Sequence, residues 1–187
     1  MTMAALVFGA ALSAVPALGA ESTYTVDKSK SSVSFLATGK PGFLKIKGEG
    51  GSLDGKIAVN GSAISGELTA GLAPIKTGIS LRDEHMHEKY LETGKFPTAV
   101  LKISNVTLDG SSCSFEGLLT IKGAEKPLKG TCEAEGVGSD TLKVSATAEI
   151  KMDDFPIGVP SHLGITVAEK VAISANLVAA KTAALQN

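Results

Sequence analysis

Tryptophan is absent from this chain and aromatic residues make up only 4% of its 187 positions. Any core must therefore be built mostly from aliphatic side chains. There is no basic surplus either: the formal net charge is -1, so the chain lacks the cationic excess that neutralises phosphates, and nucleic acid is not an expected partner. No repeat, charge block or low-complexity linker divides the sequence, and its length suits a single domain. CxxC, HExxH and glycine-rich phosphate-loop patterns are all missing, as is a nucleophile with a base at readable spacing. His85 and His87 lie two apart in a helical stretch and diverge, whereas chelation from a helix wants three or four. No catalytic residue, cofactor or metal site is expected.

Charge is also missing from residues 1–20, MTMAALVFGAALSAVPALGA, which end in small residues. This fits the apolar and cleavage regions of a secretory signal. Residues 1–20 are read as a signal peptide cleaved after Gly19 or Ala20, and residues 21–187 as the mature domain, periplasmic or secreted. A membrane-spanning helix fits less well, because Pro16 and two glycines break a run that barely reaches the required length. No later stretch is apolar enough to span, so the mature product is not expected to be membrane-spanning.

From Thr23 onward apolar residues recur every second position, and turn residues punctuate them at short intervals. Strands are expected at Thr23–Val26, around Val33, Phe35 and Ala37, from Leu44 toward Ile57 with a bulge or bend at Gly50-Gly51, at Gly66–Thr77, Thr98–Leu108, Cys113–Lys122, Leu128–Ala134, Leu142–Met152 and around Val171–Leu177. One wet face per strand implies antiparallel pairing. Gly123–Lys126 is read as the loop of a hairpin in which Ile121 faces Leu128. That register sets Cys132 across from Gly117, roughly 13 Å along the strand from Cys113 and beyond the roughly 7 Å Cα limit for a disulfide. Two buried, unreactive cysteines are the resulting expectation.

On this parity the inward face carries Ala37, Gly48, Gly117, Gly130, Ala134, Ala146, Ala148 and Ala175. So little volume would leave costly voids in a solid core. A ligand in an eight-stranded barrel would fill the space, although close approach of two packed sheets would use the same small residues. If the space is a cavity, its wall is expected to include Phe35, Ala37, Leu101, Ile103, Phe115, Leu119, Ile121, Ala146, Ala148, Ile150 and Ile173, with Phe155 from the Phe155-Pro156-Ile157-Gly158 turn.

Ser80–Leu91 breaks the strand pattern and reads as a short helix, capped by Ser80 with Asp83 three residues on and stopped at Thr93-Gly94. Glu84, His87 and Glu88 suit an exposed charged face. Arg82 offers a fork for a carboxylate or phosphate, and Asp83 beside it would orient that fork. Equally, a buried ion pair between Arg82 and Asp83, with backbone hydrogen bonds, would tie the helix to the barrel without touching a ligand.

Arg82-Asp83-x-His85-Met86, then Tyr90 and Lys95-Phe96-Pro97-Thr98-Ala99, resembles the signature region of the YceI-like family of exported lipid- or polyisoprenoid-binding proteins. Tyr24-Thr25-Val26-Asp27 with Ser31–Phe35, Gly117–Gly123 with Lys126-Pro127, and Phe155–Gly158 with Glu169–Ile173 are similar to the family's other strands, so nearly all of the mature chain is covered. Where many members carry a His after the Phe of the second strand, this chain has Thr38-Gly39. The resemblance implies an all-β fold, an antiparallel eight-stranded lipocalin-like barrel with one short helix. It implies a bound long-chain amphiphile (a polyisoprenoid, quinone or fatty-acyl lipid), no enzymatic activity, and ligand contacts from Arg82, His85, Met86 and Tyr90. Two readings stand beside it: a secreted enzyme using Arg82, Asp83 and His85, and a packed structural or stress protein without ligand. A homodimer is left open.

Overall fold

The structure, a computed structural model, describes residues 21–40, 42, 44–162 and 165–182. The expected signal segment, residues 1–20, lies outside these. Strands β1 (Ser22–Val26), β2 (Ser32–Lys40), β3 (Lys45–Asn60) and β4 (Ala63–Gly71) lead into helix α1 (Ser80–His85) and a π-helical turn, Met86–Tyr90. Then follow β5 (Thr98–Asp109), β6 (Ser112–Ile121), β7 (Ala124–Glu135), β8 (Thr141–Lys151), β9 (Ser161–His162) and β10 (Ile165–Lys181).

Each strand from β2 to β8 pairs antiparallel with the next, and β10 closes the ring by pairing with β8 on one side and β2 on the other. The result is a closed eight-stranded barrel with β9 outside the ring. Closure satisfies strand edges that an open sheet would leave bare. Strand β1 is not a separate stave. It pairs with the same two neighbours as β2, β10 and β3, just beyond the start of β2, so β1 and β2 form one stave interrupted by a turn. Asp27 holds that turn by accepting from the amide and hydroxyl of Ser29. The Ser29 hydroxyl, then Lys30, lower the Asp27 carboxyl to about 2.

Alternation behaves as the sequence suggests in β6, where Cys113, Phe115, Leu119 and Ile121 are buried between more exposed neighbours. In β3 the expected bulge is present: the register with β2 shifts between Val33 and Phe35, and Gly50 takes φ 93. Two inward glycines have a different purpose from the one expected. A Cβ on Gly48 would strike the Phe35 ring, and one on Gly130 the Phe115 ring. At those two positions the missing volume is taken by a ring from the neighbouring strand, not by a cavity.

Three local expectations need correction. The stretch from Gly66 to Thr77 is not strand throughout: β4 ends at Gly71, because Pro74 cannot donate to a ladder and the chain turns there, with Ile75 N donating to Leu72 O at 3.1 Å. The hairpin after β6 is tighter than expected. Lys122 (φ 49) and Gly123 (φ 77) form a two-residue turn in which both central residues are left-handed, the geometry that suits the twist of paired strands. Ile121 therefore faces Ala124, and Cys113 faces Cys132 with Cα atoms 4.8 Å apart. The two cysteines are disulfide-bonded, which overturns the expectation of two free thiols.

Buried side chains form two clusters. One, at the helix end, gathers Ile75, Met86, Leu119, Ile150, Met152 and Phe155. The other, at the opposite end, gathers Tyr24, Leu53, Ile57, Leu142 and Leu177. Tyr24 is fully buried and plugs its end of the barrel. Its hydroxyl donates to Ser139 O and accepts from Gly138 N, each at 2.9 Å, which locks the β7–β8 loop across the floor.

Candidate ligand-binding cavity

A cavity of about 760 Å³ runs between the two clusters and touches every stave of the barrel. Its wall is almost wholly aliphatic. Phe35, Ala37, Leu101, Ile103, Phe115, Leu119, Ile121, Ala146, Ala148, Ile150 and Ile173 all line it, as do Arg82, His85, Met86 and Tyr90 from the helical segment. Phe155 does not: it is buried in the helix-end cluster, and from its turn Ile157 faces the cavity instead. Both half-cystines also line the wall. The volume falls within the roughly 300–1,000 Å³ common for small-molecule pockets.

The helical segment forms one rim. Met86 is buried and anchors it. In the π-helical turn Leu91 N donates to Met86 O at 2.8 Å, five residues back, and this wider turn keeps Met86, Tyr90 and Leu91 all on the cavity side. Ile79 and Leu81, over half exposed, stand at the same rim. The charged side chains on the cavity, Arg82 and Lys89, come from this segment together with His85, and among the described residues no carboxylate lines it. Lys89 was not singled out by sequence. Its spacing, two helical turns after Arg82 and one after His85 with which it shares a face, was the available signal.

Thr77 is the hub of this rim. Asp83 Oδ1 accepts from the Thr77 amide at 2.7 Å and from its hydroxyl, while Arg82 donates from Nε to Thr77 Oγ1 at 2.7 Å and from Nη2 to Thr77 O at 2.8 Å. Ser80 makes no capping bond; Ile79 occupies the cap position. The reason is Gly78, whose φ of 81 turns the chain so that Thr77 meets Asp83 across the first helical turn. Arg82 and Asp83 thus brace the helix through Thr77, in place of the buried ion pair expected between them. Arg82 still reaches the cavity.

His87 also departs from expectation. It is half-buried, and its Nε2 donates to Ile75 O at 2.8 Å, tying the segment to the chain before it. The stop is Glu92, at φ 49, not Gly94. The Glu92 carboxylate pairs with Lys122 Nζ, which also donates to Tyr90 O at 3.0 Å. The Lys122 side chain is only 7% exposed. This clamp joins the end of the helical segment to the β6–β7 turn.

Two carboxylates that hold the segment have lowered pKa values. Hydrogen bonds from the Thr77 hydroxyl and amide, with smaller help from Arg82 and His87, hold Asp83 below its ordinary 3.8. Lys122 holds Glu92 below its ordinary value. A carboxyl lowered on folding stabilises the fold above its unfolded pKa, and that contribution is lost as pH falls through the folded value. Protection of the Thr77 amide from hydrogen exchange is therefore expected to drop on acidification below the ordinary carboxylate range. In Asp83→Asn, which keeps an acceptor but no charge, protection should be weaker and flat with pH. An unchanged acid response in that variant would show that Asp83 is not the group responsible.

Residues 24–179 match the YceI-like domain family. A UPF0312 protein of Pseudomonas paraeruginosa is 29% identical over 174 residues, covering 87% of this chain and 89% of that one. Protein YceI of Escherichia coli O157:H7 is 29% identical over 104 residues, 52% of this chain and 54% of its own. Among solved structures, BcnA of Burkholderia cenocepacia superposes with a TM-score of 0.70 at 22% identity, covering 82% of this chain and 98% of BcnA. A polyisoprenoid-binding domain from Saccharophagus degradans superposes with a TM-score of 0.66 at 15% identity, covering 85% of this chain and 98% of that domain. The barrel, the motif around Arg82 and the match along most of its length agree: the chain belongs to the YceI-like family.

Proposed function

We propose that this protein is an exported binding protein for a long-chain amphiphile, a polyisoprenoid, quinone or fatty-acyl lipid, and not an enzyme. The apolar chain occupies the barrel. The head sits at the helical rim near Arg82, His85 and Lys89. The observation that carries this reading is the aliphatic cavity of about 760 Å³ whose charged lining side chains are cations at one rim. Apolar burial supplies the affinity, and a cationic rim favours a head with anionic or acceptor character. The Cys113–Cys132 bridge supports export, since disulfides persist in oxidising compartments. Against an enzyme using Arg82, Asp83 and His85 stands the engagement of both Arg82 and Asp83 with Thr77.

The test is native mass spectrometry of protein from its own host, with extraction of bound lipid, combined with Ala148→Phe. Ala148 lines the cavity on β8, opposite Gly130 and Ile173. An added ring in ligand space should leave apo stability nearly unchanged and weaken lipid binding. In a close-packed core the same change overpacks, costing about 1–3 kcal/mol. Lys143→Phe, on the outer face of the same strand, is the control and should bind as the parent does. Strong destabilisation by Ala148→Phe, with no lipid on the parent, would sink the proposal in favour of a packed protein.

A further inference from the structure

The wall is not sealed along its whole height. Strands β4 and β5 pair only from Gly71↔Thr98 to Gly66↔Ile103, although β4 begins at Ala63 and β5 continues to Asp109. The cause is local. Ser104 is an extra residue in β5: the β5–β6 register shifts between Ile103 and Asn105, and the Ser104 hydroxyl donates to Glu116 O at 3.2 Å. A bulge bends its strand and increases the local twist. Beyond it β5 follows β6 down to Asp109↔Ser112, while β4 stays with β3 down to Asn60↔Ala63. The tips of two hairpins part, at the end of the barrel away from the helix.

The inward side chains flanking this seam are Ile64 on β4 and Val106 and Leu108 on β5, and all line the cavity. Leu108 is 39% exposed. Leu108 stands on the inward side of β5 beyond the bulge, so its exposure places solvent beside the cavity there. The gap lies between two strands of the wall, so the opening is lateral. Its rim differs from the helical one: the lining residues there are apolar, and the charged ones are at the helix.

We propose that the seam between β4 and β5 is a second opening of the tunnel, through which the apolar end of a bound chain leaves the barrel. The inference rests on the reading of the cavity as a lipid site and adds a specificity rule. Chains longer than the cavity bind, in one orientation, with the head at the helix and the tail at the seam. A pocket closed at that end would reject them by overpacking.

Long-chain α,ω-dicarboxylic acids test this directly, because a second carboxylate cannot be buried unpaired in an apolar wall. The measurement is the affinity of the whole mature protein for monocarboxylic and dicarboxylic acids over a series of chain lengths. With a lateral opening, short dicarboxylates bind poorly, and those long enough to reach water through the seam bind within about threefold of the monoacid of equal length. Ile64→Trp, which narrows the seam, should then weaken the long dicarboxylate about tenfold more than it weakens a short monoacid. Leu108→Trp approaches from the other side and replaces it if Ile64→Trp fails to fold by circular dichroism. Poor binding of dicarboxylates at every length, beside good binding of long monoacids, overturns the opening and leaves the lipid site standing. Undiminished binding of the long dicarboxylate by the tryptophan variants also overturns it, since its second carboxylate then reaches water by another route. Failure of every acid to bind the parent removes the lipid site and the opening together.

Discussion

Tyr24→Ala is expected to lower the melting temperature by roughly 10 °C, from a cost of about 3–5 kcal/mol. Tyr24 is fully buried within the cluster that closes the barrel opposite the helix. Its strand pairs with β3 and β10 at once, Tyr24 itself facing Ile57 and Lys181. Removing the ring opens a void that this double pairing prevents the backbone from closing. It also strips Gly138 N and Ser139 O of their partner in the β7–β8 loop. Tyr24→Phe separates the two effects: the ring remains, and the cost should fall to about 1–3 kcal/mol, that of the unpaired polar groups. Thermal unfolding followed by circular dichroism reads both. If the two variants melt alike, the ring contributes nothing and the plug has been misassigned.

Replacing both half-cystines, Cys113→Ala with Cys132→Ala, is expected to cost about 3 kcal/mol, since a bridge closing a loop of this size restricts the unfolded chain by about that much. The separation is 19 residues. Urea unfolding should show a lower midpoint for the double variant. Dithiothreitol should move the parent to the same midpoint and leave the variant where it is. Peptide mapping without reduction should recover Cys113 joined to Cys132. Recovery of free thiols from protein made in an oxidising compartment would contradict the register of the β6–β7 hairpin as well as the bridge.

That hairpin shows where sequence reading stops. The alternation in β6 and β8, the bulge at Gly50 and the helical interruption near Arg82 were all legible, because period two, paired glycines and a gap in the pattern each have a direct physical cause. The β6–β7 turn was not. Lys122 adopts φ 49, and lysine does not announce a left-handed conformation as Asn or Gly does. A four-residue loop was read where two residues suffice, and the error carried along the strand to separate two cysteines that are bonded. Glu92, also at φ 49, hid the end of the helical segment in the same way.

The site divides along a similar line. Wall residues were legible because a strand dictates which side chains face inward. Contacts at the rim were not, because they depend on where loops return in space. Thr77 meets Asp83 only because Gly78 turns the chain. Lys122 reaches Glu92 and Tyr90 only because the hairpin tip and the helical segment share one end of the barrel. Ser104, whose bulge parts β4 from β5, has no neighbouring Gly or Pro to mark it.

The shared stave has a consequence for how the chain reaches its fold. From β3 to β8 every pairing joins neighbours in sequence, and such hairpins are cheap to close. The last stave is different. Val33 pairs with Ala175 and Tyr24 with Lys181, so the ring shuts only when the two ends of the domain meet. Until then the aliphatic wall, with little aromatic bulk to collapse upon, faces water. Folding speed should accordingly be governed by this one long-range encounter, in the slow range typical of barrels, and a chain emerging stepwise from its start gains its β10 pairings last.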